Sequence, residues 1–311
     1  MSGEETGSGE RFATVGDVEL CYETFGERSD PAMLLIMGLG TQMLGWHEDL
    51  CAELAGHGFF VIRFDNRDSG RSTHLSDVRP PGLAELVTRR PKRPAYTLYE
   101  LADDAAGLLD HLEIDAAHVV GASMGGMIGQ TLAAHHPDRV LSLVSIMSTT
   151  GGRFTGQPAL RSLPIFLRRP GAGREAYIEH AVNLFGVIGS PGFERDEDSL
   201  REMLGRSWDR GVSPAGTGRQ LAAILASGNR LPDVRRITAP TLVIHGAADR
   251  LVSPSGGRAT ARAIPGARLM LVEGMGHDLP RAAWPRIIAA IEGHARAAAP
   301  AAPAAAAAPA R

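Results

Sequence analysis

One serine in this chain sits where an apolar run gives way to a helical pattern, His118-Val-Val-Gly121-Ala-Ser123-Met124-Gly125-Gly126. A hydroxyl is a weak nucleophile until a base removes its proton, so the surroundings decide whether Ser123 can do chemistry. The Gly-x-Ser-x-Gly spacing supplies suitable surroundings. A sharp strand-to-helix turn projects the hydroxyl from the sheet edge, and positions 121 and 125 must be small because the backbone passes close on both sides. The helix that follows directs its first N–H groups, beginning with Met124, toward developing negative charge.

Eleven histidines compete for the role of base. His277 lies in Glu273-Gly-Met-Gly-His-Asp-Leu-Pro280, directly after an expected strand ending at Val272. Catalytic groups of open α/β sheets collect at that carboxyl edge, so His277 is the expected base. His135 and His136 read as partners of a helix C-terminus, and His245 as a buried core histidine. The carboxylate that orients the imidazole is expected in His245-Gly-Ala-Ala-Asp249, again past a strand's carboxyl end. The chain order Ser123, Asp249, His277 is the order of the nucleophile-elbow enzymes. The other common place for the acid, Ile146-Met-Ser-Thr-Thr150, contains none, and Asp278 reads as a loop carboxylate. A second oxyanion donor is expected from the Met37-Gly-Leu-Gly40 turn, at the Leu39 N–H beside that of Met124.

Other chemistries find no support. Met43 stands where a dinucleotide-binding turn needs its third glycine, no phosphate-binding Gly-x-x-x-x-Gly-Lys-Ser/Thr loop occurs, and no helix carries paired metal-binding histidines. No cofactor and no metal are therefore expected. Asp65-Asn-Arg-Asp-Ser-Gly-Arg-Ser72 carries four charges, and a strand end followed by a hydrogen-bonded turn accounts for it.

The elements that must position these residues follow from the alternation of short β-rich runs with longer amphipathic stretches, which predicts an α/β fold with a mostly parallel sheet flanked by helices. Strands are expected over 18–25, 33–37, 59–65, 118–122, 140–147, 241–245 and 268–272, all but the first fully buried. Helices are expected over 45–55, 98–112, 123–135, 254–263 and 284–294, with Thr97 and Glu100 at capping-box spacing before the second. The alternation fails over 150–236, rich in Gly, Pro and Arg, which predicts a helical cap inserted in a core of 11–149 and 237–296. With 13 Arg against 9 acidic residues the insertion is cationic, suiting a solvated surface or an anionic substrate or acidic carrier. A proline-rich loop over 77–96 is expected beside it. Residues 1–10 and the Ala/Pro-rich 297–311 read as disordered tails.

The 311 residues, 44% hydrophobic, suffice for a large core. No apolar run is long enough to span a membrane or to serve as a secretion signal, so a cytoplasmic location is expected. Two cysteines exclude a disulfide framework, and a net charge of −3 disfavours nucleic acid as a partner.

From residue 18 to 294 these motifs resemble the α/β-hydrolase superfamily. Leu35-Ile-Met-Gly-Leu-Gly40 with Gly45-Trp46, the Asn66-Arg-Asp68 turn and Gly274-Met-Gly-His-Asp-Leu-Pro280 look like actinobacterial esterases related to aclacinomycin methylesterase. The resemblance implies a carboxylic ester hydrolase, of esterase, lipase or polyketide methylesterase type, acting on a small-molecule ester through Ser123, His277 and Asp249. Met37 replaces the histidine that usually precedes the oxyanion glycine, a feature shared with that esterase group. Epoxide hydrolases and haloalkane dehalogenases carry an aspartate at the elbow, and Ser123 argues against both. A cofactor-free perhydrolase of the non-haem haloperoxidase type, or a hydrolase-fold binding protein without catalysis, are the alternatives.

Overall fold

The computed structural model describes residues 9–89, 91–159 and 171–298. Eight strands form one sheet: β1 (Arg11–Val15), β2 (Val18–Phe25), β3 (Ala32–Ile36), β4 (Phe60–Phe64), β5 (Ala117–Ala122), β6 (Val140–Ile146), β7 (Thr241–Gly246) and β8 (Arg268–Val272), in the order β1-β2-β4-β3-β5-β6-β7-β8. β2 pairs antiparallel with both β1 and β4, and the six strands from β4 to β8 in the sheet order, β3 included, pair in parallel. The central strands are near-continuous apolar runs because helices cover both faces. Along β3, Leu34 and Ile36 join one core, with α3 (Leu98–His111) and α4 (Met124–His135), while Met33 and Leu35 join the other, with α1 (Glu48–Gly56) and α10 (Trp284–Ala298).

The structure corrects several boundaries. β1 has no counterpart among the expected strands, since only Ala13 of its five residues is buried. β2 is mostly buried, whereas β8, expected to be buried, is the far edge strand and leaves Arg268 and Leu269 exposed. The helix expected from Gly45 starts at Glu48, because Met43–Gly45 forms a separate 3-10 turn and the His47 ring accepts the Asp49 N–H. The Thr97–Glu100 capping box is present. At the ends, α10 runs on through Ala297 to Ala298, and Glu10, assigned on sequence to the N-terminal tail, is ion-paired with Arg71 and Arg210. Residues 1–8 and 299–311 of the expected tails lie outside the described residues, as does 160–170 of the expected cap.

Between β6 and β7 the chain forms α5 (Arg174–Ile188), α6 (Glu197–Asp209), α7 (Pro214–Ser227) and the short α8 (Leu231–Val234). Ser213 caps α7 by accepting the Gly216 N–H, with Pro214 at the first helical position. Ala223 of α7 joins the core that holds α3 and α4, and charged contacts tie this part of the chain to the 65–72 turn. Arg219 grips Asp68 through two bonds of 2.8 and 2.5 Å, and Arg210, just past α6, reaches Asp65 at 2.7 Å. Burial alone would raise the Asp68 carboxyl, but hydrogen bonds from Arg219, Tyr96 and the Leu75 N–H hold it below its ordinary value. Every charge of the 65–72 turn is thereby paired, with Arg67 on Asp104 and Arg71 on Glu10. The cationic excess of the insertion is therefore spent partly inward: the side chains of Arg210, Arg219 and Arg230 are all buried. The proline-rich loop lies beside α7, where Arg219 donates to the Val78 carbonyl, and it carries a further short helix, α2 (Leu83–Thr88). The remaining helix, α9 (Ser255–Ala263), packs behind β7. Among the described residues no helix is long and apolar enough to cross a membrane.

Candidate active site

Ser123 occupies the single residue between β5 and α4, with φ 55° and ψ −117°. A side chain adopts this region only at a cost of roughly 1–3 kcal/mol, so the surroundings must impose it. They do so through two glycines: a Cβ at Gly121 would lie 2.1 Å from the Gly125 carbonyl oxygen, and one at Gly125 would lie 2.0 Å from that of Ile36. The Ser123 N–H donates to Ile146 at the end of β6 (2.9 Å), and its carbonyl accepts the Ser148 hydroxyl (2.8 Å).

His277 stands five residues past β8, on a loop fixed at both its flanks. Inward, Met275 accepts the Ala248 N–H (2.9 Å). Outward, the Gly276 N–H donates to the Ser190 hydroxyl (2.8 Å) and the His277 N–H to the Ile188 carbonyl at the end of α5 (2.8 Å). The contact is close enough that Cβ atoms at Gly276 or Gly274 would strike the backbone at Gly189 or Gly192. Asp278 accepts the Ser190 hydroxyl, and burial raises its carboxyl above the ordinary value.

These supports bring Ser123, His277 and Asp249 into one line. His277 Nε2 lies 3.0 Å from Ser123 Oγ, and its Nδ1 lies 2.7 Å from Asp249 Oδ2. The other oxygen of Asp249 accepts the N–H groups of Leu251 and Val252, both at 2.9 Å. Burial pushes this carboxyl up, yet His277, together with hydrogen bonding from His245 and His277, outweighs it and holds the group at about 2. An ionised Asp249 can only accept, so Nδ1 carries the proton and the Nε2 lone pair faces the serine hydroxyl. His245 is fully buried, as the sequence suggested, with Nε2 2.8 Å from the Val252 carbonyl and 3.4 Å from Asp249.

Of the two expected oxyanion donors, Met124 N–H opens α4 and Leu39 N–H belongs to the turn after β3. Among the described residues neither N–H has a hydrogen-bond acceptor. The turn is closed by Thr41 N–H on the Gly38 carbonyl, and a Cβ at Gly38 would come 3.1 Å from that of Ser123. Two amide side chains that sequence reasoning passed over also hold it: Asn66 Nδ2 donates to the Met37 carbonyl (3.0 Å), and Gln220 Oε1 accepts the Gly40 N–H (2.8 Å). Asn66 was visible only as part of the charged turn, and nothing local marked Gln220. Ser123, His277 and Leu39 line a cleft of about 2410 Å³, whose other walls come largely from the chain between β6 and β7 and include Phe185, Phe193 and Leu221.

Comparison with known proteins agrees with this architecture. A family model described as alpha/beta hydrolase fold matches residues 31–280. The rhodomycin D methylesterases DauP of Streptomyces sp. (strain C5) and DnrP of Streptomyces peucetius are each 32% identical to this chain, over 93% of it and 98% of their own length. Among solved structures, a hydrolase from Pseudomonas aeruginosa PA01 superposes with a TM-score of 0.68 at 27% identity, covering 93% of this chain and 97% of that one. With its sheet, its elbow and relatives along nearly its whole length all in agreement, this chain belongs to the α/β-hydrolase family.

Proposed function

We propose that this protein hydrolyses carboxylic esters through an acyl-enzyme, with Ser123 as nucleophile, His277 as general base and acid, and Asp249 as the carboxylate that orients it. The observation carrying the reading is the unbroken line of hydrogen bonds from Ser123 through His277 to Asp249. His277 Nε2 takes the hydroxyl proton as Ser123 Oγ attacks the ester carbonyl, and Asp249 stabilises the imidazolium. The N–H groups of Leu39 and Met124 bind the oxyanion, a contribution of a few kcal/mol to the barrier. His277 then protonates the departing alcohol, activates a water against the acyl-enzyme and returns its proton as the acid leaves. Every step uses these side chains, backbone donors and water.

Residues 150–236 act in this reading as a helical cap that shapes the substrate. The methylesterase relatives and a cleft of about 2410 Å³ with apolar walls favour a small alcohol, methanol, esterified to a bulky apolar acid. The test is hydrolysis of p-nitrophenyl esters from acetate to palmitate, alongside methyl esters of bulky polycyclic acids, by wild type and Ser123→Ala. Turnover confined to the wild type, with methyl esters of bulky acids preferred, supports the reading. Equal turnover by both proteins overturns it.

A further inference from the structure

The turn that carries the Leu39 N–H is gripped from a helix 180 residues away in sequence. Gln220, fully buried on α7, places its carboxamide between two backbone groups: Oε1 accepts the Gly40 N–H at 2.8 Å, and Nε2 donates to the Arg67 carbonyl at 2.9 Å. The partners force this orientation of the amide, since an N–H can only donate and a carbonyl only accept. The helix is itself fixed at the neighbouring position by the bidentate Arg219–Asp68 pair. One turn earlier, Thr217 fills the space where a Cβ at Gly40 would fall, 2.8 Å from it.

We infer that Gln220 is a positioning residue for the oxyanion turn: by taking the Gly40 N–H it fixes the peptides on either side, so that the adjacent Leu39 N–H stays available to the cleft. The inference rests on the serine-hydrolase reading above. It makes the inserted helices part of the machinery that stabilises the transition state, in addition to walling the cleft. Asn66 holds the other end of the turn from the core, and Gln220 holds this end from the insertion. Neither touches the reacting atoms.

The full-length chain carrying Gln220→Met or Gln220→Glu tests this, with active sites counted by fluorophosphonate titration so that rates refer to folded sites. Methionine keeps the volume and leaves both the Gly40 N–H and the Arg67 carbonyl without a partner. Its per-site kcat should fall about 10–100-fold with KM within about threefold, the signature of a loss felt in the transition state. Affinity for a trifluoromethyl ketone, which forms a tetrahedral oxyanion on Ser123, should weaken by a similar factor. Glutamate keeps an acceptor for the Gly40 N–H and should recover much of both losses, which also carries the test if the methionine variant folds poorly. Unchanged per-site kcat and ketone affinity in Gln220→Met overturns the inference whatever the melting temperature does, and so do equal losses in the two variants. Wild-type protein left unlabelled by the fluorophosphonate instead brings down the serine-hydrolase reading, and this inference with it.

Discussion

The N–H of His277 donates to the carbonyl of Ile188, the last residue of α5, across 2.8 Å. His277 is therefore held from two sides: its imidazole by Asp249, just past β7, and the backbone of its loop by Ile188 and Ser190, from the chain between β6 and β7. Ser190→Ala would leave the Gly276 N–H and the Asp278 carboxylate without their shared partner. Thermal unfolding should show a loss of about 1–2 kcal/mol. Turnover should fall about tenfold as the loop loosens. Wild-type turnover would mean that the Ile188 bond suffices by itself.

Ser123→Ala should abolish covalent labelling and turnover while changing stability by less than about 1 kcal/mol, since no core contact is lost. Ser123→Gly should be equally inactive yet more stable than the alanine variant by roughly 1 kcal/mol, because glycine accepts the backbone angles at this position without strain. Denaturant melts of the two variants side by side decide this, and equal midpoints would mean the elbow is not strained.

Asp249→Asn should slow turnover by about 10⁴-fold, because the amide no longer fixes the imidazole tautomer. It also carries a pH signature. A carboxyl held at about 2 when folded contributes stability above its ordinary value near 3.8, and that contribution disappears as pH falls through 2. The stability gap between wild type and variant should thus be about 2 kcal/mol at pH 6 and close between about pH 4 and 2. A gap that is constant over that range would remove the ionised carboxylate from the explanation.

Removing one member of a buried ion pair strands the other, so Arg219→Leu should destabilise the protein by about 3 kcal/mol, whereas Arg219→Leu with Asp68→Asn should recover part of that loss. Urea denaturation of the three proteins reads both numbers. A single variant within about 1 kcal/mol of wild type would mean that Tyr96 and Leu75 satisfy Asp68 unaided.

What could be read in advance was what local sequence encodes. Gly121, Ser123 and Gly125 announce their turn because their types and spacing are readable within five residues, although the backbone that demands a glycine at 125 is that of Ile36 on β3, and His277 and Asp249 each follow a strand whose apolar run marks its end. β1 escaped because an edge strand with one buried residue has no periodicity to detect, and β8 looked central because the apolar Leu269, Met270 and Leu271 belong to an edge that is only half covered. Gln220 and Asn66 are ordinary polar residues in one dimension. Their importance comes from backbone groups far away in sequence, a relationship that no spacing rule contains.

The pairing of Arg210 with Asp65 and of Arg219 with Asp68 bears on how this scaffold can be re-engineered. Grafting a different insertion between β6 and β7 to change substrate range would withdraw both arginines and leave two carboxylates, each with no exposed side-chain surface here, facing whatever replaced them. A chimera designed on cleft shape alone therefore inherits an electrostatic mismatch at the seam. Converting Asp65 and Asp68 to asparagine along with the graft, or retaining the two arginines in the donor helices, makes the junction portable.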